Sequence, residues 1–410
     1  MRPAETLRRA LRFLMESIMN KENLINTQQR EQALTEIEVM GLASPNDMAN
    51  GHASQNLALS QQRIIAKLPQ IWEEASRLKS REAEIKFKDV FRLLAEAPSL
   101  SSYEHFKICP TASNSIDTVA TWLAAKNMKT ALLEPTFDNL YLILKRRGVQ
   151  IRSLPDDLLY EKTLDQELKL IGLLSSVDAV FLVNPNNPTG RTMTEEQFAS
   201  IANWCALNKK VLILDNTFRF FVPQVYDTYQ ILLDSGVRFL SIEDTGKVWP
   251  TQEIKASLLF TSADIFQEID HIYDEIFLCH SNFALGLLAE FLKDAHERGL
   301  AEAVWKDVAA RRKKFRRAIE ETVLQIHPLS IESTISVEWV KIAEHFNNDI
   351  DLIEHFKTKE LILLSGRQFY WSKDPATLKT DCARFALLKP EHAFQTSISI
   401  LAKELRSLKS

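Results

Sequence analysis

The sequence predicts an α/β fold: a large domain with a mostly parallel sheet covered by helices, plus a smaller α+β domain. Three observations predict it. From about residue 105 to 245, short apolar runs alternate with amphipathic runs of helical length, the rhythm of strand–helix–strand units. Those runs are apolar throughout, as in "FLV" and "VLIL", which suits strands buried on both faces. Beyond about residue 280 a long helical stretch leads into shorter strands. At 410 residues the chain is also long for a single core. The expected domains are residues 1–53, a helical arm or lid; 54–300, the large domain; and 301–410, the small one.

Taken in order, residues 1–50 read as two helices and the connector "GLASPND". The first, "LRRALRFLMESIM", has basic and apolar residues at helical spacing. Glu5 and Glu16 interrupt it and no small-residue cleavage site follows, so it reads as an amphipathic helix packed on the body. "LSQQRIIAKLPQIWEEASRLKSREAE" is helical. "TALLEP" is a strand, and "FDNLYLILKRRG" a helix closed by Gly148. "DAVFLVNP" is a strand, and "TEEQFASIANWCALNK" a helix with Thr194 as its N-cap. "KVLILD", helix "VYDTYQILLDSG" and strand "VRFLSIED" follow. The long helical region runs from "FALGLLAEF" to "EETVLQI". Strands "TISVEWVKI", "LILLSG" and "ARFALL" and the helix "EHAFQTSISILAKELRSL" complete the chain.

Composition narrows the function. The chain is 45% apolar and 25% charged, with net charge −4, as in ordinary globular proteins. Nucleic-acid binding would show as a basic face, and none is suggested. No apolar run reaches membrane-spanning length. Cys109, Cys205, Cys279 and Cys382 stand far apart with no Cys-x-x-Cys pair. They read as buried thiols in a reducing, cytoplasmic setting rather than a disulfide frame or a metal site.

In an open parallel sheet, ligands bind beyond the carboxyl ends of the strands. Those ends carry chemistry here: "NPNNPTG" after "FLV", Asp215 after "VLIL", "EDTGKVWPTQEIK" after "FLSI", and "EPTFDN" after "ALL". "CPTASNSID" opens a helix with small residues, so its N–H groups could approach a phosphate. Each is weak singly. A lone strand-end Asp is usually a turn residue, an aromatic after Pro-Thr usually core, a loop Lys usually solvated.

In this order they resemble the fold-type I pyridoxal-phosphate (PLP) enzymes, the aminotransferase class I/II superfamily. The resemblance implies roles residue by residue. Lys247 would form the Schiff base and shuttle the substrate α-proton. Asp215 would hold the pyridine nitrogen protonated. Asn187 would bond the phenolic oxygen, and Phe137 would stack on the ring. Ser113, Asn114 and Ser115 would hold the phosphate, and Arg384 the substrate α-carboxylate. Asn187-Pro188 and Glu134-Pro135 are candidates for cis bonds. The superfamily also implies a homodimer.

Two positions depart from common aminotransferases. Phe218 stands where they have a tyrosine that also bonds the phenolic oxygen. Lys255 stands where they have an arginine on the phosphate, and lysine lacks the planar fork. "DNTFRFF", "IEDTGKVWPTQEIKA" and "ANGHASQNLALSQQRIIAKLP" are similar to the PLP- and O2-dependent L-arginine oxidases and hydroxylases of natural-product pathways. That family holds the guanidinium with two carboxylates, here Asp244 and Glu38, and has a Gly-His pair, here Gly51-His52. A buried guanidinium needs such a pair. His52 would close over the substrate and act as acid or base; the plainer reading is that it caps or packs its segment. The resemblance implies oxidation of L-arginine with O2 as co-substrate, through a Schiff base and a quinonoid, to a dehydro or hydroxylated keto acid. The alternatives are a conventional aminotransferase, a PLP lyase or cyclase on a basic amino acid, and a non-catalytic binder on the same fold.

Overall fold

The protein is described by a computed structural model covering residues 32–160, 163–223, 225–343 and 345–408. The first of the two helices expected in residues 1–50 lies outside the described residues. The second is the helix Leu34–Leu42.

The connector after it contains a two-residue strand, β1 (Asn46–Asp47). The strands β2 (Phe106–Cys109), β3 (Lys129–Glu134), β4 (Gln150–Pro155), β5 (Ala179–Val183), β6 (Val211–Asp215), β7 (Arg238–Ile242) and β8 (Ser257–Thr261) form one sheet in the order β2-β8-β7-β6-β5-β3-β4. β8 alone runs antiparallel to its neighbours; every other pairing in the sheet is parallel. Every residue of β5, β6 and β8 is buried, as helices on both faces require. Local chemistry ends the covering helices. Thr194 caps Glu195–Leu207, accepting from the Gln197 N–H at 3.2 Å, and Gln197 returns a bond to the Thr194 N–H. Gly148 takes the left-handed conformation, φ +83°, just past the helix Asp138–Arg146.

A second, four-stranded antiparallel sheet has the order β12-β13-β10-β9, from β9 (Leu324–Ile326), β10 (Val337–Ile342), β12 (Leu364–Ser365) and β13 (Cys382–Ala386). A further strand, β11 (Leu361–Ile362), pairs with β1 in parallel. Met48 then accepts from the Ala386 N–H at 2.7 Å, and Ser54 donates to Leu388 O at 3.0 Å. Segment 46–54 is thereby stitched along the end of β13.

Three expectations need correction. The long helical region is not one helix: Asn282–Arg298 stops at Gly299, φ +75°, and a π-turn at Ala301–Trp305 leads into Lys306–Ile319. Its last residues are β9, because Leu324–Ile326 finds a partner in β10. Cys279 is exposed, whereas Cys109, Cys205 and Cys382 are buried. Among the described residues no helix is long and apolar enough to cross a membrane.

Candidate active site

The sheet register brings the strand-end residues together. Val183, Asp215 and Ile242 lie side by side on β5, β6 and β7. Asn184 and Asn216 extend the ladder one step, donating to Asp215 O and Ile242 O at 2.9 and 2.8 Å. Asn187, Asp215, Asp244 and Lys247 therefore emerge at one edge, together with the helix start after β2 and Phe137 after β3. They line a cavity of about 280 Å³.

Of the twelve residues singled out from sequence, ten line this cavity: Glu38, His52, Ser113, Phe137, Asn187, Asp215, Asp244, Lys247, Lys255 and Arg384. Asn114 and Ser115 do not. The Ser115 hydroxyl is turned into the sheet, 2.8 Å from Ser257 Oγ on β8. Asn114 is held by Thr111, whose hydroxyl donates to Asn114 Oδ1 at 2.8 Å and accepts the Asn114 N–H at 3.2 Å. Thr111 O also takes the Ser115 N–H at 3.2 Å. What the helix start offers the cavity is its first turn at Thr111, Ala112 and Ser113, where orphan N–H groups favour an anion.

The bend after β5 also differs in detail. The cis bonds are Glu134-Pro135 and Asn184-Pro185; Asn187-Pro188 is not cis. Asn186 closes the loop beyond, donating to Arg191 O at 2.9 Å and accepting the Gly190 N–H at 2.7 Å. The turn is thus fixed on both sides of Asn187, whose side chain is left facing the cavity.

Charge is dense here. Asp215 is 5% exposed, and its Oδ1 accepts the Thr217 N–H at 2.9 Å and the Thr217 hydroxyl. Burial pushes its carboxyl up to about 6, and the neighbouring Asp244 and Glu243 carboxylates add to this. Burial raises Asp244 as well, against the pull of Lys247 and Lys255. Lys247 is pushed down by burial, with Lys255 and Arg384 adding and Glu38 and Asp244 opposing. Glu38 stays below the usual carboxylate range. Its burial, the largest influence, acts upward, but Lys247, Arg384 and the Gly51 N–H outweigh it.

The remaining positions come from the small sheet and the segment stitched to it. Arg384 stands mid-strand on β13, its guanidinium 5.7 Å from the ring centres of both Phe137 and Phe369. Its Nη2 donates to Glu38 Oε1 at 3.1 Å and also to Ala49 O. His52 is turned toward Lys255. Its Nε2 is 3.1 Å from Lys255 Nζ and its Nδ1 is 3.0 Å from a Glu253 oxygen. Glu253 also pairs with Lys255 at 2.7 Å. Burial and the Lys247 and Lys255 ammonium groups push His52 down to about 4, so at neutral pH it is an uncharged ring with both nitrogens engaged.

Sequence reasoning missed several contributors. Thr217, two residues after Asp215, matched a detectable Asx-turn pattern. Glu253 and Asp138 gave no such signal. Asp138 Oδ2 accepts the Leu34 N–H at 2.9 Å, docking the helix Leu34–Leu42 across 104 positions. Arg219 forms a buried pair with Glu243 at 2.7 Å, which Tyr229 and Asn216 complete. It braces the ends of β6 and β7.

The family model for aminotransferase class I and II matches residues 105–354. The chain belongs to the aminotransferase class I and II family. MppP, in a structure soaked with the product 2-ketoarginine, is 34% identical, with a TM-score of 0.79 over 87% of this chain and 99% of that one. Aspartate aminotransferase from Thermus thermophilus, with maleate, is 11% identical with a TM-score of 0.73 over 91% and 97%. YbdL from Escherichia coli, described with a methionine aminotransferase function, is 16% identical with a TM-score of 0.73 over 92% and 98%. The last two share the fold alone. Family members of this fold are PLP enzymes, and the residues present fit that cofactor. Asn187 Oδ1 and Asp244 Oδ1 are buried without a partner, and buried Asp215 suits a cationic N–H.

Proposed function

We propose that this aminotransferase-family enzyme oxidises free L-arginine with O2 as co-substrate, releasing the α-amino group as ammonia. The observation that carries the reading is the pairing of opposite charges in one cavity. Arg384 suits an α-carboxylate, Glu38 and Asp244 suit a cationic side chain, and Lys247 lies within electrostatic reach of all three. The 2-ketoarginine in the MppP structure supports a substrate with this carbon skeleton.

The cofactor, when bound, supplies an aldehyde for Lys247 and a ring that accepts electrons from the substrate α-carbon. Asn187, Asp215, Phe137, Lys255 and the helix start at Ser113 would hold it. The chain's own residues do the rest. Asp215 keeps a proton on the ring nitrogen. Burial favours the neutral Lys247 amine, so its Nζ can take the α-proton. Arg384 grips the α-carboxylate, and Glu38 and Asp244 grip the guanidinium, fixing which α-bond faces Lys247. His52 Nε2 holds Lys255 Nζ at 3.1 Å, steadying the amine that would meet the phosphate. Phe218 is 3% exposed and lines the cavity, so this position would give the phenolic oxygen no hydroxyl beside the Asn187 amide. Each two-electron oxidation reduces one O2 to peroxide, and water supplies the oxygen that replaces nitrogen.

A keto acid is also the product of transamination, so the fate of the nitrogen decides. PLP-loaded protein is given α-15N-L-arginine with excess pyruvate in air. Labelled ammonia is the expected product. Labelled alanine in stoichiometric yield overturns the reading in favour of an aminotransferase.

A further inference from the structure

Guanidinium recognition alone does not require the contact between Glu38 and Arg384. Glu38 Oε1 accepts from Arg384 Nη2 at 3.1 Å and from the Gly51 N–H at 3.2 Å. The two side chains are 11% and 1% exposed. Arg384 Nη2 donates to Ala49 O as well, while Arg384 Nε is buried with no partner. A carboxylate binds guanidinium best through two parallel N–H groups. Nη2 belongs to both faces that offer such a pair, Nη1 with Nη2 and Nε with Nη2. Here Nη2 is spent on Glu38 and on Ala49 O; Ala49 O belongs to the main chain stitched along β13, so Glu38 is the partner that gives way when an α-carboxylate takes a two-point grip.

We propose that Glu38 is a selectivity gate: it occupies Arg384 until a substrate brings both an α-carboxylate to replace it and a cationic side chain to receive it. This deepens the arginine reading and rests on it, adding exclusion of uncharged amino acids to attraction of arginine. The exchange conserves ion pairs. Arg384 trades one carboxylate for another, and Glu38 trades one guanidinium for another. An amino acid with an uncharged side chain breaks the same contact but leaves buried Glu38 without the guanidinium it was paired to, which is costly. The gate can turn without unfolding anything. Ile37 and Leu34 anchor the helix Leu34–Leu42 in the cluster around Trp339 and Phe369, and Glu38 reaches the cavity on a flexible side chain.

The test is calorimetric binding of L-arginine and of L-norleucine, its uncharged counterpart, to PLP-loaded protein under argon. Wild type is compared with Glu38→Gln, which keeps the size and the acceptor for Gly51. The expected result is opposite shifts: arginine weakens at least tenfold and norleucine tightens at least tenfold. If arginine weakens and norleucine is unchanged, the gate is overturned while the arginine reading stands. If norleucine tightens and arginine is unchanged, Glu38 only masks Arg384; the exchange is overturned, and with it the role of Glu38 in holding the guanidinium. Parallel weakening of both ligands also overturns the gate. Should the Gln variant not fold, Glu38→Asp carries the same comparison, since its shorter reach loosens the hold on Arg384 and the expected shifts keep their signs.

Discussion

His52 illustrates how neighbours redefine a residue. Alone it is the side chain most suited to acid–base work near neutrality. Beside Lys255 and Lys247, and buried, it is pushed down to about 4. The sign follows. Its folded-state pKa lies below the unfolded value near 6.5, so the unfolded chain binds the proton more readily. Stability is full above about pH 6.5 and is lost as pH falls toward 4. His52→Asn should therefore narrow the fall in thermal midpoint between pH 7.5 and pH 4.5. An equal fall in wild type and variant would contradict this assignment. The acid–base role anticipated for His52 would require it to release Lys255 or Glu253. The site residues legible from position alone are those that follow strand ends, since a strand-end position is fixed by the sheet; Glu38, His52 and Arg384 were legible only through the resemblance. Glu253 and Asp138 were not legible. Glu253 meets His52 across 201 positions and Asp138 meets Leu34 across 104, and no local pattern encodes such a meeting.

At the scale of elements, the loop after β5 carries the clearest requirement. Gly190 has φ +74°, and a Cβ there would lie 2.0 Å from Ser333 Oγ and 3.2 Å from Ser333 Cα. Ser330 Oγ donates to Thr189 O at 2.8 Å, so the loop is clamped against the segment before β10. Gly190→Ala should cost about 1–3 kcal/mol, read as a lower unfolding midpoint, with weaker retention of the cofactor because Asn187 shares the loop. An unchanged midpoint would show that the clamp yields freely. Periodicity anticipated β3, β5, β6, β7, β10 and β13, and it read "LILLSG" as one strand where the structure has two, β11 and β12, in different sheets. It did not single out β4, the four-residue β2, or β8, whose five residues "SLLFT" do not distinguish a buried strand from a buried helical turn. The break at Gly299 was legible in principle, since glycine, free to take positive φ, often ends helices. The amphipathic stretches on either side masked it.

For the whole molecule, the fold class followed from the alternation of strand and helix, and the site from the rule that chemistry gathers at strand ends. What sequence could not give is the mutual placement of the two sheets. That placement brings Arg384, from the middle of β13, against Glu38 and within electrostatic reach of Lys247. The proposed coupling of arginine to oxygen, rather than to an amino acceptor, depends on this cavity. It is tested most directly by oxygen uptake of PLP-loaded protein given L-arginine alone, with Lys247→Ala as control. Sustained uptake with release of ammonia is expected, lowered roughly 10²-fold or more in the variant. No uptake, with amino transfer starting once a keto acid is added, would contradict it.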